Sequence, residues 1–439
     1  MTSLYCLNIV VAVLLLFWPM WFSRAQLRLS WINPFSITLM VTIPVELMKL
    51  FVGPIFLIDG GLFDTGYQYA LLMASLLALA QAAGAVFFLR FAKSFRAHRY
   101  LPFQRILLGR RDMRRGAYFF LLIFFVALFL LANAEFGVLN WLQNPRMGYQ
   151  MYRAGQGHWY ALAISALSVS FVLTFLAHPT AGRLLRNMVV YIIMGYFLGS
   201  KGVLLTIFAA TLVFLWFMRW RHLGKLILVG APLLFGLLIF NLYLALGNVF
   251  ELGSIIGYFD YYKNAADYYR SYLNGEIDLF HGQVIMSSWW AYVPRAIWPD
   301  KPVVYGILHI NELFYPGLAE ISTPAFGGAV EQHADFGVLG VVVFGFLSSQ
   351  AILTGVLSHL IFKRPGVRLD RITLATVLLF LVQYAPAFGS FLPGGLYLLL
   401  LLVVLGTLRM LRRSPRRAAH LKCNFLRNGE QATSDAAQP

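Results

Sequence analysis

The residue types that a group transfer needs are concentrated in two stretches. The first reads Val293-Pro294-Arg295-Ala296-Ile297-Trp298-Pro299-Asp300-Lys301-Pro302. Proline fixes its own φ, so the backbone is held while Arg295 and Lys301 present cationic donors, an arrangement able to hold an anion before reaction. The bland alternative is an ordered turn closed by an Asp300–Lys301 ion pair. The second stretch reads Gly327-Gly328-Ala329-Val330-Glu331-Gln332-His333-Ala334-Asp335. It offers three groups able to accept a proton from a weak nucleophile such as a hydroxyl, a role that typically contributes about 10²–10⁴-fold. His333 titrates nearest neutrality. The bland reading of that histidine alone is a hydrogen-bonded structural imidazole.

Three further cations lie outside those stretches. Lys201 sits in Gly199-Ser200-Lys201-Gly202, between two apolar runs. Arg146 and Arg153 fall about two helical turns apart and share a face if 144–156 is helical, although Pro145, Gly148 and Gly155 argue against that. Each of these cations could equally be a solvated surface charge. Glu46 and Lys49 stand at helical spacing within an apolar run and read as a packing pair, with a proton or ion relay as the alternative. Tyrosines 258, 261, 262, 268, 269 and 272 recur at helical spacing, which predicts an amphipathic helix anchored at a lipid interface, with sugar stacking as the other use. Cys6 and Cys423 lie at opposite ends, and no Cys/His cluster has zinc spacing, so neither a metal nor another cofactor is expected.

The elements that must position these residues are membrane helices. The chain is 59% hydrophobic and 12% charged. Its apolar runs are long enough to cross a hydrocarbon layer about 30 Å thick, and they predict about 11 crossings. This is an all-α polytopic membrane protein by composition. The runs are 4–22, 35–58, 67–91, 116–134, 158–178, 184–198, 203–218, 223–248, 338–362, 372–384 and 394–408. Residues 1–248 hold the first eight and 338–411 the last three. Between them lies one large polar loop, 249–337, and a basic, disordered tail follows at 412–439. The first run lacks a basic start and a small-residue cleavage site, so it is expected to stay as a helix.

The net charge of +17 is segregated along the chain. Arg24 and Arg28, the run from Lys93 to Arg115, Arg183 and Arg186, Arg219 to Lys225, Lys363 to Arg371 and the tail share one side. The positive-inside rule makes that side cytoplasmic, and the basic clusters meet anionic lipid headgroups rather than nucleic acid. The opposite side keeps Arg146, Arg153, Lys201, Lys263, Arg270, Arg295 and Lys301 among a larger number of acids. This map requires a hairpin at Lys201. One merged helix there would put the lysine in hydrocarbon at about 2.5–3.5 kcal/mol and reverse every later loop.

The Pro294-Arg295 and Trp298-Pro299-Asp300-Lys301-Pro302 string, followed by Gly328, Glu331 and Phe336-Gly337-Val338-Leu339-Gly340, resembles the bacterial oligosaccharide repeat unit polymerases, the Wzy-type O-antigen polymerase family. Gly199-Ser200-Lys201-Gly202 is similar to that family's Gly-Ser-Arg/Lys-Gly turn. The resemblance covers the multi-helix plan and most of the second half; residues 1–130 match only as hydrophobic helices. It implies a fold similar to the GT-C class of membrane glycosyltransferases and a large loop in the periplasm. It also implies an enzyme of the bacterial inner membrane that moves a growing glycan between undecaprenyl-diphosphate carriers without nucleotide sugar or metal. A chain-length regulator and a flippase are the partners implied. On this reading Arg295, Glu331 and His333 are catalytic, Glu331 being favoured as the base, and Lys201, Lys301, Arg146 and Arg153 hold diphosphate and substrate. An O-antigen ligase shares the same donor chemistry. A lipid-linked-sugar or polysaccharide transporter is the rival of a different class, against which stands the scarcity of charge inside the apolar runs.

Overall fold

The computed structural model describes residues 2–94, 110–135, 137–151, 157–246, 253, 256–257, 261–293, 297–318 and 324–362. Among these the regular elements are helices. They run α1 (Thr2–Leu16), α2 (Trp18–Leu27), α3 (Pro34–Leu47), a π-helix (Met48–Val52), α4 (Gly53–Leu57), α5 (Thr65–Ser94), α6 (Arg110–Glu135), α7 (Val138–Gln143), α8 (Pro145–Met151), α9 (Gly157–Ala177), α10 (Ala181–Tyr196), α11 (Lys201–Phe217) and α12 (Leu223–Leu246). After them come α13 (Tyr262–Leu273), α14 (Gln283–Ser288), a 3-10 turn (Trp289–Tyr292), α15 (Leu308–Phe314), α16 (Val330–Phe346) and α17 (Ser349–Phe362).

Within these residues, 5 helices are long and apolar enough to cross a membrane, or up to 7 if each of two bent pairs is one span. The bends are 52° at Phe17 and 55° near Thr42. The expected runs 372–384 and 394–408, like the tail, lie outside the described residues. The run expected over 338–362 is divided, because Ser348 accepts the Ala351 N–H through Oγ at 3.2 Å and opens α17 anew. The Lys201 region is two helices that pack on each other: a Cβ at Gly195 would come within 3.1 Å of Val203 and 3.3 Å of Ile207.

Apolar burial forms two main bodies. One is built from α3, α6, α9, α10, α11 and α12, with Phe124, Phe171, Leu173, Phe214 and Leu215 essentially solvent-free. The other surrounds α5, against which α1, α13, α16 and α17 all pack. Small residues on α5 allow this. A Cβ at Gly84 would stand 2.4 Å from the Phe346 carbonyl oxygen, and a Cβ at Gly66 only 2.2 Å from that of Ala266 on α13. Such backbone-to-backbone approach is how helices associate where lipid provides no hydrophobic drive between them. The Lys49 π-helix, the Lys201 turn and Tyr261 stand along the seam between the two bodies.

Candidate functional site

The seam is built first by a turn. Gly199 has φ +66°, and a Cβ there would lie 2.2 Å from the Pro145 carbonyl oxygen and 2.6 Å from Tyr149 Cβ, so only glycine lets α8 abut the α10–α11 turn. Trp141 Nε1 donates to Phe197 O at 2.7 Å, and Arg146 Nη1 reaches Gly199 O at 3.3 Å. Pro145 is the first residue of α8, where its missing N–H costs nothing, so 145–151 is helical despite its proline and glycine. The turn thus sets Arg146 beside Lys201, the first residue of α11. That end of a helix is also the positive end of its dipole.

Lys49 arrives on the continuation of α3. The π-helix at Met48–Val52 widens the backbone by one residue per turn, a distortion found often at functional sites. Lys49 Nζ bonds Glu46 Oε1 at 2.8 Å and lies 5.2 Å from the centre of the Tyr261 ring. Lys201 Nζ lies 5.0 Å from the centre of that same ring. The positive charges of Arg146 and Lys49 both act on Lys201. The sequence reading treated Lys49 as a packing residue and missed this convergence. Arg153, expected with Arg146 to hold diphosphate and substrate, lies outside the described residues, as does Arg295.

Tyr261 joins this cationic cluster to the Glu331 stretch, because its carbonyl accepts the Gly327 N–H at 2.9 Å. Gly328 (φ +59°) faces Ala70, at 2.9 Å for a Cβ, so the double-glycine turn is pressed against α5. The first turns of α16 follow. At Phe336 and Gly337 the backbone leaves helical geometry, which separates Val330–Asp335 from the apolar remainder.

The three predicted proton acceptors have three different surroundings. Asp335 is corrected from a candidate base to a latch. It is solvent-free, and its two carboxylate oxygens accept the N–H groups of Val284 at 3.0 Å and Ile285 at 2.7 Å. His333 is also solvent-free, enclosed by Tyr69, Tyr268, Tyr269 and Tyr272, with ring centres 4.7 to 6.1 Å away. Its Nδ1 shares a hydrogen bond with the Tyr268 hydroxyl at 3.1 Å. Glu331 is half-buried on the same turn, and among the described residues its carboxylate has no hydrogen bond or ion pair. Of the three, Glu331 alone keeps some exposed surface.

Two expectations for the neighbouring segment change. Tyr268 and Tyr269 of α13 do not anchor at a lipid interface: they have no exposed surface and pack against α5 and α16. Burial pushes both phenols above their usual range, so both remain donors. Tyr269 bonds Gly328 O at 2.6 Å, and Arg270 clamps α13 to Asp64 at 2.8 Å. Lys301, predicted to bind substrate, turns inward with 8% exposure and donates to Trp290 O at 3.2 Å and Val293 O at 3.0 Å. With the Trp290–Trp298 ring contact at 5.5 Å it shapes the proline-rich string from within. Among the described residues no group of His, Cys, Asp and Glu is arranged to hold a metal ion.

Chemically, the seam gathers cations and an aromatic ring where an anionic leaving group can be held, and the adjoining helix start carries one carboxylate that no described hydrogen bond or ion pair claims. The chain is 26% identical over 245 residues to proteins named O-antigen polymerase from Salmonella typhimurium strain LT2 and from Salmonella typhi. The match covers 54% of this chain and 58% of each relative, so the chain spans little more than half the length of the curated relatives it matches. No family model matches the chain, and no solved structure does.

Proposed function

We propose that this chain polymerises lipid-diphosphate-linked oligosaccharide repeat units into an O-antigen or related surface polysaccharide. The transfer takes place at the periplasmic face of the bacterial inner membrane, and undecaprenyl diphosphate is the carrier. The observation that carries the reading is the convergence of Lys49 and Lys201 on the Tyr261 ring with Arg146 on the adjoining turn. The distant likeness to O-antigen polymerases supports it.

In the reaction, a hydroxyl of the acceptor sugar attacks the anomeric carbon of the donor glycan. A new glycosidic C–O bond forms, the C–O bond to the lipid diphosphate breaks, and the hydroxyl proton passes to Glu331. Negative charge grows on the departing diphosphate, and Lys201, Arg146 and Lys49 stand where it can be met. One preorganised donor of that kind is worth about 2.7–4 kcal/mol. Arg295 is assigned to the same leaving group on its sequence context alone. His333 and Asp335 hold Glu331 in place, the first by filling the tyrosine cage and the second by fixing α14 to α16.

The test is chain growth by the purified protein in vesicles supplied with lipid-linked repeats and no ion gradient. Elongated lipid-linked glycan is expected. Movement of repeats across the vesicle without elongation would overturn the proposal. A deletion strain separates the polymerase from a ligase: loss of the first leaves a single repeat attached to lipopolysaccharide, loss of the second leaves none.

A further inference from the structure

The short helix α14 and the turn after it take no part in that reaction, yet they display large apolar groups, Met286 at 70% exposure and Trp289 at 40%. Met286 and Trp289 stand three residues apart and are both exposed, while Gly282, the left-handed N-cap of α14, is buried beneath them. The structure shows what lies beside that face: a Cβ at Gly282 would stand 3.3 Å from Phe336 Cζ. Phe336, itself 43% exposed, heads a stripe that continues along α16 through Leu339 at 68% and Val343 at 40%. That stripe lies within the candidate membrane span Val330–Ile352, which takes in α16 and the start of α17. Nor can α14 turn its face elsewhere, because Asp335 grips the backbone of Val284 and Ile285.

We propose that this face is immersed in the bilayer lipid beside α16, Met286 among the acyl chains and Trp289 at the headgroup level. Two observations select lipid as the occupant: α14 starts against Phe336, beside the exposed apolar residues of a candidate span, and its exposed face ends on a tryptophan, the residue enriched at a membrane boundary. A patch of this kind facing water would be unusual for a folded protein. The inference stands whatever reaction the neighbouring residues perform. It sets the Phe336–Gly337 kink at the lipid surface and Glu331 just above it.

The experiment uses nitroxide labels on full-length protein in phospholipid vesicles, in a Cys6→Ser, Cys423→Ser background. Labels are placed by Met286→Cys, by Trp289→Cys, by Leu339→Cys on the α16 stripe, and by Asp300→Cys on the exposed polar loop. Collision with dissolved oxygen reports lipid, and collision with a nickel chelate reports water. The oxygen-to-chelate ratio at 286 is expected to match that at 339 and to exceed that at 300, with 289 intermediate. A ratio at 286 and 289 matching 300 would overturn the proposal, as would contact with neither quencher, the sign of a second copy or another protein covering the face. A water-like ratio at 339 would remove its premise and overturn it equally.

Discussion

The seam around Tyr261 and the cage around His333 are joined through one hydrogen bond at Gly327, yet they treat their polar groups in opposite ways. In the cage every ring is packed, His333 and Asp335 have no exposed surface, and their bonds go to other parts of the fold. In the seam, two lysines lie over one aromatic ring and an arginine reaches the carbonyl of a left-handed glycine turn. Enclosed polar groups set the shape of a site; half-open ones are left able to meet a substrate. The sharpest instance is a single helical turn, where Glu331 is half-buried while His333, two residues on, is sealed.

The comparison breaks most visibly if activity follows the sealed groups. Lys201→Ala and Glu331→Gln should each lower chain growth by about 10²–10³-fold while leaving the thermal midpoint in detergent in place. Near-normal glycan length in both would remove the site assignment, and a His333→Gln loss larger than that of Glu331→Gln would invert the comparison. Asp335→Ala should act on stability instead. It strands two buried N–H groups at about 1–3 kcal/mol each. A thermal midpoint lowered by several degrees, partly restored in Asp335→Asn, is the expected readout. Tyr268→Phe removes one enclosed hydrogen bond, worth about 0.5–1.5 kcal/mol, and should leave the turnover of the folded fraction nearly unchanged.

The smallest effect concerns His309, which burial lowers below the usual imidazole range while Asp335 opposes part of the shift. The unfolded chain therefore takes up a proton there before the folded chain does. Its contribution to stability is present above about pH 6.5 and is lost as pH falls towards the lower folded value. His309→Phe should flatten the fall of the thermal midpoint between about pH 7 and pH 5. An unchanged slope would show that another group governs it.

Much of the fold was legible because long apolar runs have few alternatives in a chain of this composition. The Lys201 turn was legible for a related reason, since a lysine is costly inside a helix in lipid. Lys49 was not, because nothing in Met48–Val52 announces a π-helix and its contact with Tyr261 lies far away along the chain. The tyrosine helix was seen but turned the wrong way. Tyrosine suits both a headgroup layer and a polar core, and periodicity alone does not choose between them. Asp335 and Glu331 likewise share a sequence neighbourhood, and only packing shows which carboxylate is committed to the backbone of α14. Lys301 resembles a surface cation until the carbonyls of Trp290 and Val293 are seen to claim it.

The bare surface of Gly66 and the neighbouring Asp64 also say something about time. Their partners, Ala266 and Arg270, are separated from them by most of the first body, 206 residues in the case of the ion pair. A chain made from its N-terminus must therefore present an empty slot on α5 while six longer helices, α6 and α9 to α13, are still being synthesised. The histidine cage, built from α5, α13 and α16, can close only after that wait.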